Sequence, residues 1–109
     1  MDVRTEGRTL HIGDVSVELP AEPAQVRRFG RVVLVRFDSS TEAVDARRNV
    51  WAFDGRGDRI WRIDRAVGPN NTYVDVVDRD GELWAYSWCG IDYRVDPETG
   101  EHVDSVFTK

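Results

Sequence analysis

Residues 80–101 read DGELWAYSWCGIDYRVDPETGE, and this stretch decides the fold. Within it, residues 82–88 carry an aromatic side chain at every second position from 84 onward, and residues 91–96 alternate apolar or aromatic with charged side chains. Both patterns are typical of strands with two different faces. Glycine- and proline-containing turn signals precede, separate and follow the two runs. The stretch therefore predicts antiparallel sheet that folds back on itself.

The same alternation extends over most of the chain. We predict about nine short strands in up-and-down order, at residues 9–12, 15–19, 31–37, 49–54, 59–64, 73–77, 82–88, 91–96 and 102–107. Residues 20–29 hold two prolines and are predicted to be a crossing loop with one helical turn at most. Polar residues 38–48 form the longest connection, and their composition also suits a helical turn. The predicted class is all-β, an antiparallel meander that forms a small sandwich or partial barrel.

The strand predicted at residues 31–37 has apolar side chains on both faces. Val32 and Leu34 share one face, while Val33 and Val35 share the other. A strand of this kind must be covered on both sides to remove its apolar surface from water. We therefore expect it in the middle of the structure.

The length of 109 residues predicts a single domain over residues 1–109. No apolar run approaches the ~20 residues of a membrane helix, and the N-terminal residues do not resemble a secretory signal. Cys89 is the single cysteine, so an internal disulfide and a cysteine-based zinc site are both excluded. We expect a cytoplasmic protein with no membrane partner.

The net charge of −5 is unevenly distributed. Residues 1–65 carry twelve arginines and eleven acids (+1), whereas residues 66–109 carry three basic residues and nine acids (−6). Ten arginines between Arg27 and Arg65 face six acids, which predicts either an arginine-lined patch or an ordinary solvated surface. Because the acidic half repels phosphates, we expect no nucleic-acid partner.

Several hairpins resemble one another. An aromatic residue, a small residue, a second aromatic residue, Asp and a glycine turn recur, as in residues 51–57, and residues 83–86 repeat the first part. This pattern resembles the blade repeats of pyrroloquinoline-quinone-type β-propellers and implies propeller-blade-like hairpins. The chain has strands for about two blades of four, and a propeller needs at least four blades. Closure by one copy is therefore excluded.

Residues 49–57 and 83–100 also resemble segments of a group of short, uncharacterised bacterial all-β proteins. The shared forms are Asn-(Val/Ile)-aromatic-Ala-apolar-Asp-x-x-Gly and Leu-aromatic-Ala-Tyr-x-Trp-x-Gly-x-x-Tyr-x-apolar-Asp-Pro-x-Thr-Gly. Where the group usually has an acidic or amide residue before the glycine at position 90, this chain has Cys89. The resemblance implies a fold and no activity.

Four aromatic residues are the candidate binding residues: Trp84, Tyr86, Trp88 and Tyr93. Side chains two apart on a strand point the same way, so the first three are expected to form one line with Tyr93 across from it. These rings could stack on a sugar or a nucleobase. The interpretation that we favour is that they fill the core of a small domain, with Tyr86 and Trp88 the most exposed.

No catalytic or metal-binding constellation is apparent. Residues 78–82 faintly resemble the start of a calcium loop, but position twelve would be Cys89, and an Asp-Gly hairpin turn is the better interpretation. His11 and His102 are far apart in sequence, and nothing pairs either with Cys89 as base and nucleophile. We predict no catalytic residue, no metal and no cofactor.

The sequence therefore favours a binding protein over an enzyme. The first hypothesis is a protein-interaction or regulatory module of the kind that neutralises a partner, as immunity proteins do. The alternative is a small-ligand or saccharide-binding domain that uses the aromatic platform. Catalysis by paired carboxylates is the third. The partner is expected to be a protein, and the chain itself a monomer or a homodimer through its sheet edges.

Overall fold

The computed structural model describes residues 2–107. This part of the chain forms eleven antiparallel strands and contains no α-helix. The strands are β1 (Val3–Glu6), β2 (Thr9–Ile12), β3 (Val15–Glu18), β4 (Gln25–Phe29), β5 (Val32–Arg36), β6 (Val50–Phe53), β7 (Arg59–Arg62), β8 (Tyr73–Arg79), β9 (Glu82–Ser87), β10 (Ile91–Val95) and β11 (His102–Phe107). The all-β antiparallel class is confirmed.

The strands form three successive meanders. The first sheet has the order β1-β2-β3, the middle sheet β4-β5-β6-β7 and the third sheet β11-β10-β9-β8. Neighbouring strands in each sheet are consecutive in the chain, and most are joined by short turns. The exception is the connection of residues 37–49 between β5 and β6. Over residues 2–107 none of the three sheets closes into a barrel.

Two of the eleven strands, β1 and β4, were not expected. β1 has one apolar side chain and is largely exposed, so its sequence carries no alternation. In β4, Val26 and Phe29 are three positions apart, a spacing that suggests a helical turn. In a strand this odd spacing puts them on opposite faces, and each packs in a different hydrophobic cluster. The predicted crossing loop at residues 20–29 is therefore wrong for Gln25–Phe29, which is a strand.

The middle sheet is covered on both faces. On one side Val33 and Val35 pack in a cluster with Leu10 and Ile12 of the first sheet. On the other side Leu34 belongs to a second cluster, which it shares with these residues: Val50, Ala52, Trp61, Ile63, Ala66, Tyr73, Val76, Leu83, Ala85, Tyr93 and Val95. The prediction that residues 31–37 run through the middle of the structure is confirmed. A 3₁₀ turn at Ala46–Arg48, capped by Asp45, supplies the helical turn expected within residues 38–48.

Asn49 joins the middle sheet to the third sheet. It is completely buried and immediately precedes β6. Its Nδ2 donates to the carbonyl oxygens of Phe37 at 2.7 Å and Tyr73 at 2.9 Å, and its Oδ1 accepts from the Tyr73 amide at 3.0 Å. The side chain thus pairs with both main-chain polar groups of the first residue of β8, in the way a neighbouring strand would.

Further along β8, two side chains from β4 bond its main chain. The carbonyl oxygen of Val76 accepts hydrogen bonds from Gln25 at 3.2 Å and from Arg27 at 3.0 Å. Gln25 also donates to the Asp75 carboxylate at 2.9 Å. Because β8 is an edge strand, these contacts shield its unpaired backbone from pairing with another chain.

Gly100 sits against the ring of Trp61, where the turn after β10 meets the middle sheet. Its φ is +78°, and a Cβ placed there would lie 2.5 Å from Trp61 Cε3. The Trp61 indole in turn donates to the carbonyl oxygen of Pro97 at 2.9 Å. Glycine is required here for both its backbone angle and its lack of a side chain.

Gly100→Ala should therefore destabilise the domain more than Gly30→Ala. Gly30 has a φ of +57° and no atom within 4 Å of an added Cβ, so alanine there meets only backbone strain of about 1 kcal/mol. At Gly100 the overlap with Trp61 adds to that strain, for a total of at least about 2 kcal/mol. Urea unfolding of the two variants measures the difference. Equal free energies of unfolding would contradict this account.

Candidate functional site

Trp84 and Tyr86 lie on the outer face of the third sheet. Trp84 pairs with Arg94 of β10 and Val77 of β8, and it belongs to neither hydrophobic cluster. Only 7% of Trp84 is exposed. The guanidinium of Arg79 lies over its ring, with Cζ 4.2 Å from the ring centroid, in cation–π geometry.

Arg79 also binds its other neighbours on this face. Its Cζ is 5.9 Å from the ring centroid of Tyr86, and its Nη1 is 3.7 Å from an oxygen of Asp92. The aromatic surface predicted from the sequence is therefore present for these two rings, but the chain's own arginine covers it. The Nε1 of Trp84 is buried and has no hydrogen-bond partner among residues 2–107.

The other two candidate residues lie elsewhere. Tyr93 pairs with Ala85, so it points to the inner face, away from Trp84 and Tyr86, and it is 2% exposed. Trp88 follows the end of β9 in the turn before β10, and it is 66% exposed. The four aromatic residues therefore do not form one platform.

Trp88 belongs to a group of exposed apolar residues at one end of the third sheet. β8 begins at this end, β9 ends there, β10 begins there and β11 ends there, as the pairs Tyr73–Ser87 and Ile91–Phe107 show. We call the group the strand-end patch; it consists of Val67, Val74, Trp88, Val106 and Phe107. Its members share this end of the sheet but not one face, since Val106 pairs with Asp92 and Phe107 with Ile91. It holds five of the eight large apolar side chains that are exposed in the described part of the chain.

A buried amide holds the loops beneath the strand-end patch. Asn71 donates from Nδ2 to the carbonyl oxygen of Val67 at 2.9 Å and to the Ser87 hydroxyl at 3.0 Å. Its Oδ1 accepts from the amides of Thr72 at 3.0 Å and Cys89 at 2.9 Å. All the hydrogen-bonding capacity of the side chain is used, so the patch rests on a fixed backbone.

His102 and Tyr73 form a hydrogen-bonded pair on the inner side of the same sheet. The Tyr73 hydroxyl is 2.6 Å from Nε2 of His102 and donates to the carbonyl oxygen of Asp64 at 2.5 Å. The imidazole stacks on Tyr93 with centroids 4.0 Å apart, and the His102 amide donates to the Asp64 carboxylate at 3.2 Å. The histidine is therefore held through both its ring and its backbone.

Burial shifts the titration of both members of this pair. It raises the pKa of Tyr73 well above its ordinary value, and the charges of Tyr93 and Asp64 act in the same direction. It lowers the pKa of His102, against the opposing effect of the Asp64 carboxylate. Both groups are therefore neutral at pH 7.

The sequence did not reveal this pair. His102 occupies a polar position in a strand pattern, and nothing places it beside Tyr73, 29 residues earlier. The two meet on the inner face of the sheet that contains both β8 and β11, where each also bonds Asp64. The sequence shows only that a tyrosine and a histidine both lie in strands. Many other pairs of residues meet the same condition, so this pair could not be singled out.

Within residues 2–107, the structure places the remaining candidate residues from the sequence in turns, strands or loops without a catalytic or metal-binding arrangement. Asp80 and Gly81, with φ of 53° and 86°, form the hairpin turn expected in place of a calcium loop. His11 contacts Ser16 at 3.0 Å in the first sheet, and the cysteine is a free thiol of intermediate burial. Among the described residues no three acidic, histidine or cysteine side chains converge as a metal site.

Several arginines between Arg27 and Arg65 form hydrogen bonds or ion pairs with other residues of the same chain. Arg27, Arg47 and Arg48 each donate to a main-chain carbonyl oxygen, at 3.0, 3.0 and 2.9 Å. Arg65 pairs with Asp45 at 3.1 Å. These guanidinium groups hold loops and sheets together, which accounts for much of the local excess of arginine.

The chain has an all-β fold of three antiparallel sheets, with exposed apolar side chains at one end of the third sheet. The chain belongs to the family described as Domain of unknown function (DUF7957), whose model matches residues 1–107. A search of curated proteins finds no match. Within residues 2–107, no helix has the length and apolar character needed to cross a membrane.

His102 should make the stability of the domain depend on pH. Its folded pKa lies below the unfolded value of about 6.5, so the unfolded state binds the proton more tightly. The stability it contributes is complete above about pH 6.5 and is lost as pH falls through the folded pKa. The free energy of unfolding should therefore fall less between pH 7.5 and pH 5 in His102→Gln than in the wild type.

Urea unfolding at several pH values measures this dependence. His11→Gln is the matched control, because it also removes one histidine but leaves the Tyr73 pair intact. Its loss of stability on acidification should exceed that of His102→Gln. The same pH dependence in both variants would show that His102 is not the responsible group.

Proposed function

We propose that this domain is a protein-interaction module, regulatory or neutralising in role, that binds a basic partner through the strand-end patch. The observation that carries the proposal is the collection of exposed apolar side chains at one end of one sheet. Scattered apolar residues are normal on a protein surface, whereas a group of them is typical of an interface. Trp88 and Phe107, 66% and 68% exposed, are its largest members.

The net charge of the C-terminal part of the chain supports a basic partner. Residues 66–107 carry two arginines and nine acids, a net charge of −7. Both arginines are already paired, Arg79 with Asp92 and Arg94 with Glu82. The remaining carboxylates attract a positively charged surface and repel an acidic one, which favours fast and selective association with a basic protein.

Binding of a saccharide or other small ligand at Trp84 and Tyr86 is the second candidate. Its support is the unpartnered Nε1 of Trp84, since a buried donor without a partner is uncommon in proteins. Such binding would require Arg79 to move away from both rings before a ligand could stack on them. The strand-end patch needs no such rearrangement, and we favour it for this reason.

The finer family relationship is also a proposal. Two consecutive four-stranded meanders packed face to face support a likeness to propeller blades. A bacterial source and a cytoplasmic location follow from the sequence resemblance and the single cysteine.

Substitution in the strand-end patch should weaken partner binding. Immobilised wild-type domain, Trp88→Ser and Phe107→Ser are each exposed to a lysate of the host organism, and retained proteins are identified by mass spectrometry. A basic protein should be retained by the wild type and released by high salt. Each substitution should weaken its binding at least about tenfold, as expected for a buried aromatic anchor.

Ile60→Ser is the matched control. Ile60 is 43% exposed on β7 of the middle sheet, so its replacement removes a comparable apolar side chain away from the patch. This variant should bind like the wild type. Retention of no basic protein, equal retention by all variants, or association of the domain only with itself in sedimentation would each overturn the proposal.

A further inference from the structure

A cavity of about 400 Å³ opens where the third sheet meets the end of β4. The turns that follow β8 and β10 lie at this end of the third sheet, so the strand-end patch is at the other end. We call it the hairpin-end cavity. Five apolar residues are part of its lining: Phe29 of β4, Leu83 of β9, Val95 of β10, Pro97 in the turn after β10, and Val103 of β11.

The apolar wall of the hairpin-end cavity continues the hydrophobic core between the middle and third sheets. Leu83 and Val95 are buried and belong to the cluster that fills this space. Phe29 packs against the same cluster and is half-buried. Val103, in contrast, is 50% exposed. A ligand in the cavity would therefore remove apolar surface of Phe29 and Val103 from water, which favours the binding of an apolar molecule.

Hydrogen bonds fix the turn that carries Pro97. The carbonyl oxygen of Asp96 accepts from the Gly100 amide at 2.8 Å, and the Asp96 carboxylate accepts from the Glu98 amide at 2.8 Å. The carbonyl oxygen of Pro97 accepts from the Trp61 indole at 2.9 Å, which joins the turn to the middle sheet. This wall is therefore formed before a ligand binds, and binding does not have to order it.

The charged residues of the lining do not suit an anionic ligand. They are one arginine, Arg94, and two acids, Glu82 and Asp96. Arg94 and Glu82 form an ion pair at 3.0 Å. Both lie on the outer face of the sheet, because Arg94 pairs with Trp84 and Glu82 precedes Trp84 by two positions. Neither side chain therefore points into the space between the sheets.

The side chains that face the space between the sheets are apolar. A charged ligand group placed against Phe29, Leu83 and Val95 would lose its hydration without gaining a partner of opposite charge. The Asp96 carboxylate, which is bonded to its own turn, adds repulsion for an anion. The lining therefore favours an uncharged ligand.

We propose that the hairpin-end cavity binds a small uncharged molecule with an apolar system of one or two rings. The cavity volume is near the lower end of the range of small-molecule sites, which suits a ligand of this size. The Phe29 ring offers a surface on which another ring can pack, and a rigid ring loses little conformational freedom on binding. The site is separate from Trp84 and Tyr86, which lie on the opposite face of the third sheet.

Methyl nuclear magnetic resonance with 2-naphthol tests the site. This molecule has two rings and is uncharged at pH 7, whereas 2-naphthoate has the same rings and a negative charge. 2-Naphthol should shift the methyl signals of Leu83, Val95 and Val103 in a saturable way. The signals of Val67 and Val106, at the other end of the sheet, should stay unchanged. 2-Naphthoate should bind at least about tenfold more weakly, because its charge loses hydration.

Val103→Ser and Val106→Ser are the matched pair of variants. Both valines lie on the edge strand β11, and they are 50% and 46% exposed, so we expect both variants to fold. Val103→Ser should weaken the binding of 2-naphthol about fivefold, as expected when apolar contact with a methyl group or two is lost. Val106→Ser should bind 2-naphthol like the wild type.

Three results would overturn the proposal. They are the absence of a saturable shift at the methyl groups of the cavity, equal affinity for 2-naphthol and 2-naphthoate, and equal affinity of the two serine variants for 2-naphthol. The test of the proposed function uses Trp88 and Phe107 at the other end of the sheet. The two proposals can therefore fail separately.

Discussion

The arrangement of the third sheet depends on the buried amide of Asn49. This side chain lies between the middle sheet and the third sheet, and it replaces a strand at the start of β8 by bonding both the amide and the carbonyl oxygen of Tyr73. An unpaired buried main-chain group costs about 1 to 3 kcal/mol, so three such groups, one from Phe37 and two from Tyr73, make this position unusually sensitive. Tyr73 in turn positions His102. The amide therefore supports both the packing of the sheets and the position of the Tyr73–His102 pair.

The main-chain groups at the two edges of the third sheet are hydrogen-bonded in different ways. The β8 edge is bonded by side chains of the middle sheet, namely Asn49, Gln25 and Arg27. On β11, carboxylates bond two main-chain amides, Asp64 that of His102 and Asp104 that of Ser105. Polar contacts of this kind protect edges from unwanted pairing while leaving side chains accessible. The backbone at both edges is therefore partly covered, while the side chains at the strand ends stay exposed.

Much of the fold could be predicted because alternation is a local property. The central strand was recognisable from Val33 and Leu34, which pack into different clusters, and the turns from their glycines. β4 was missed because its two apolar residues face different sheets, a fact that depends on tertiary packing. The exposure of Trp88 was anticipated from its place at a strand end. Three features could not be predicted: Arg79 covers Trp84, Tyr93 points to the opposite face, and Tyr73 contacts His102. They depend on strand pairing and on the paths of loops, which one sequence does not define.

The account is tested most directly by hydrogen–deuterium exchange of the backbone amides. The Tyr73 amide is bonded to a side chain rather than to a neighbouring strand, so its protection reports on Asn49 alone. It should exchange as slowly as the amides of β5 in the middle of the structure. Exchange of the Tyr73 amide at the rate of exposed loops, with β5 still protected, would contradict the claim that this amide joins the sheets.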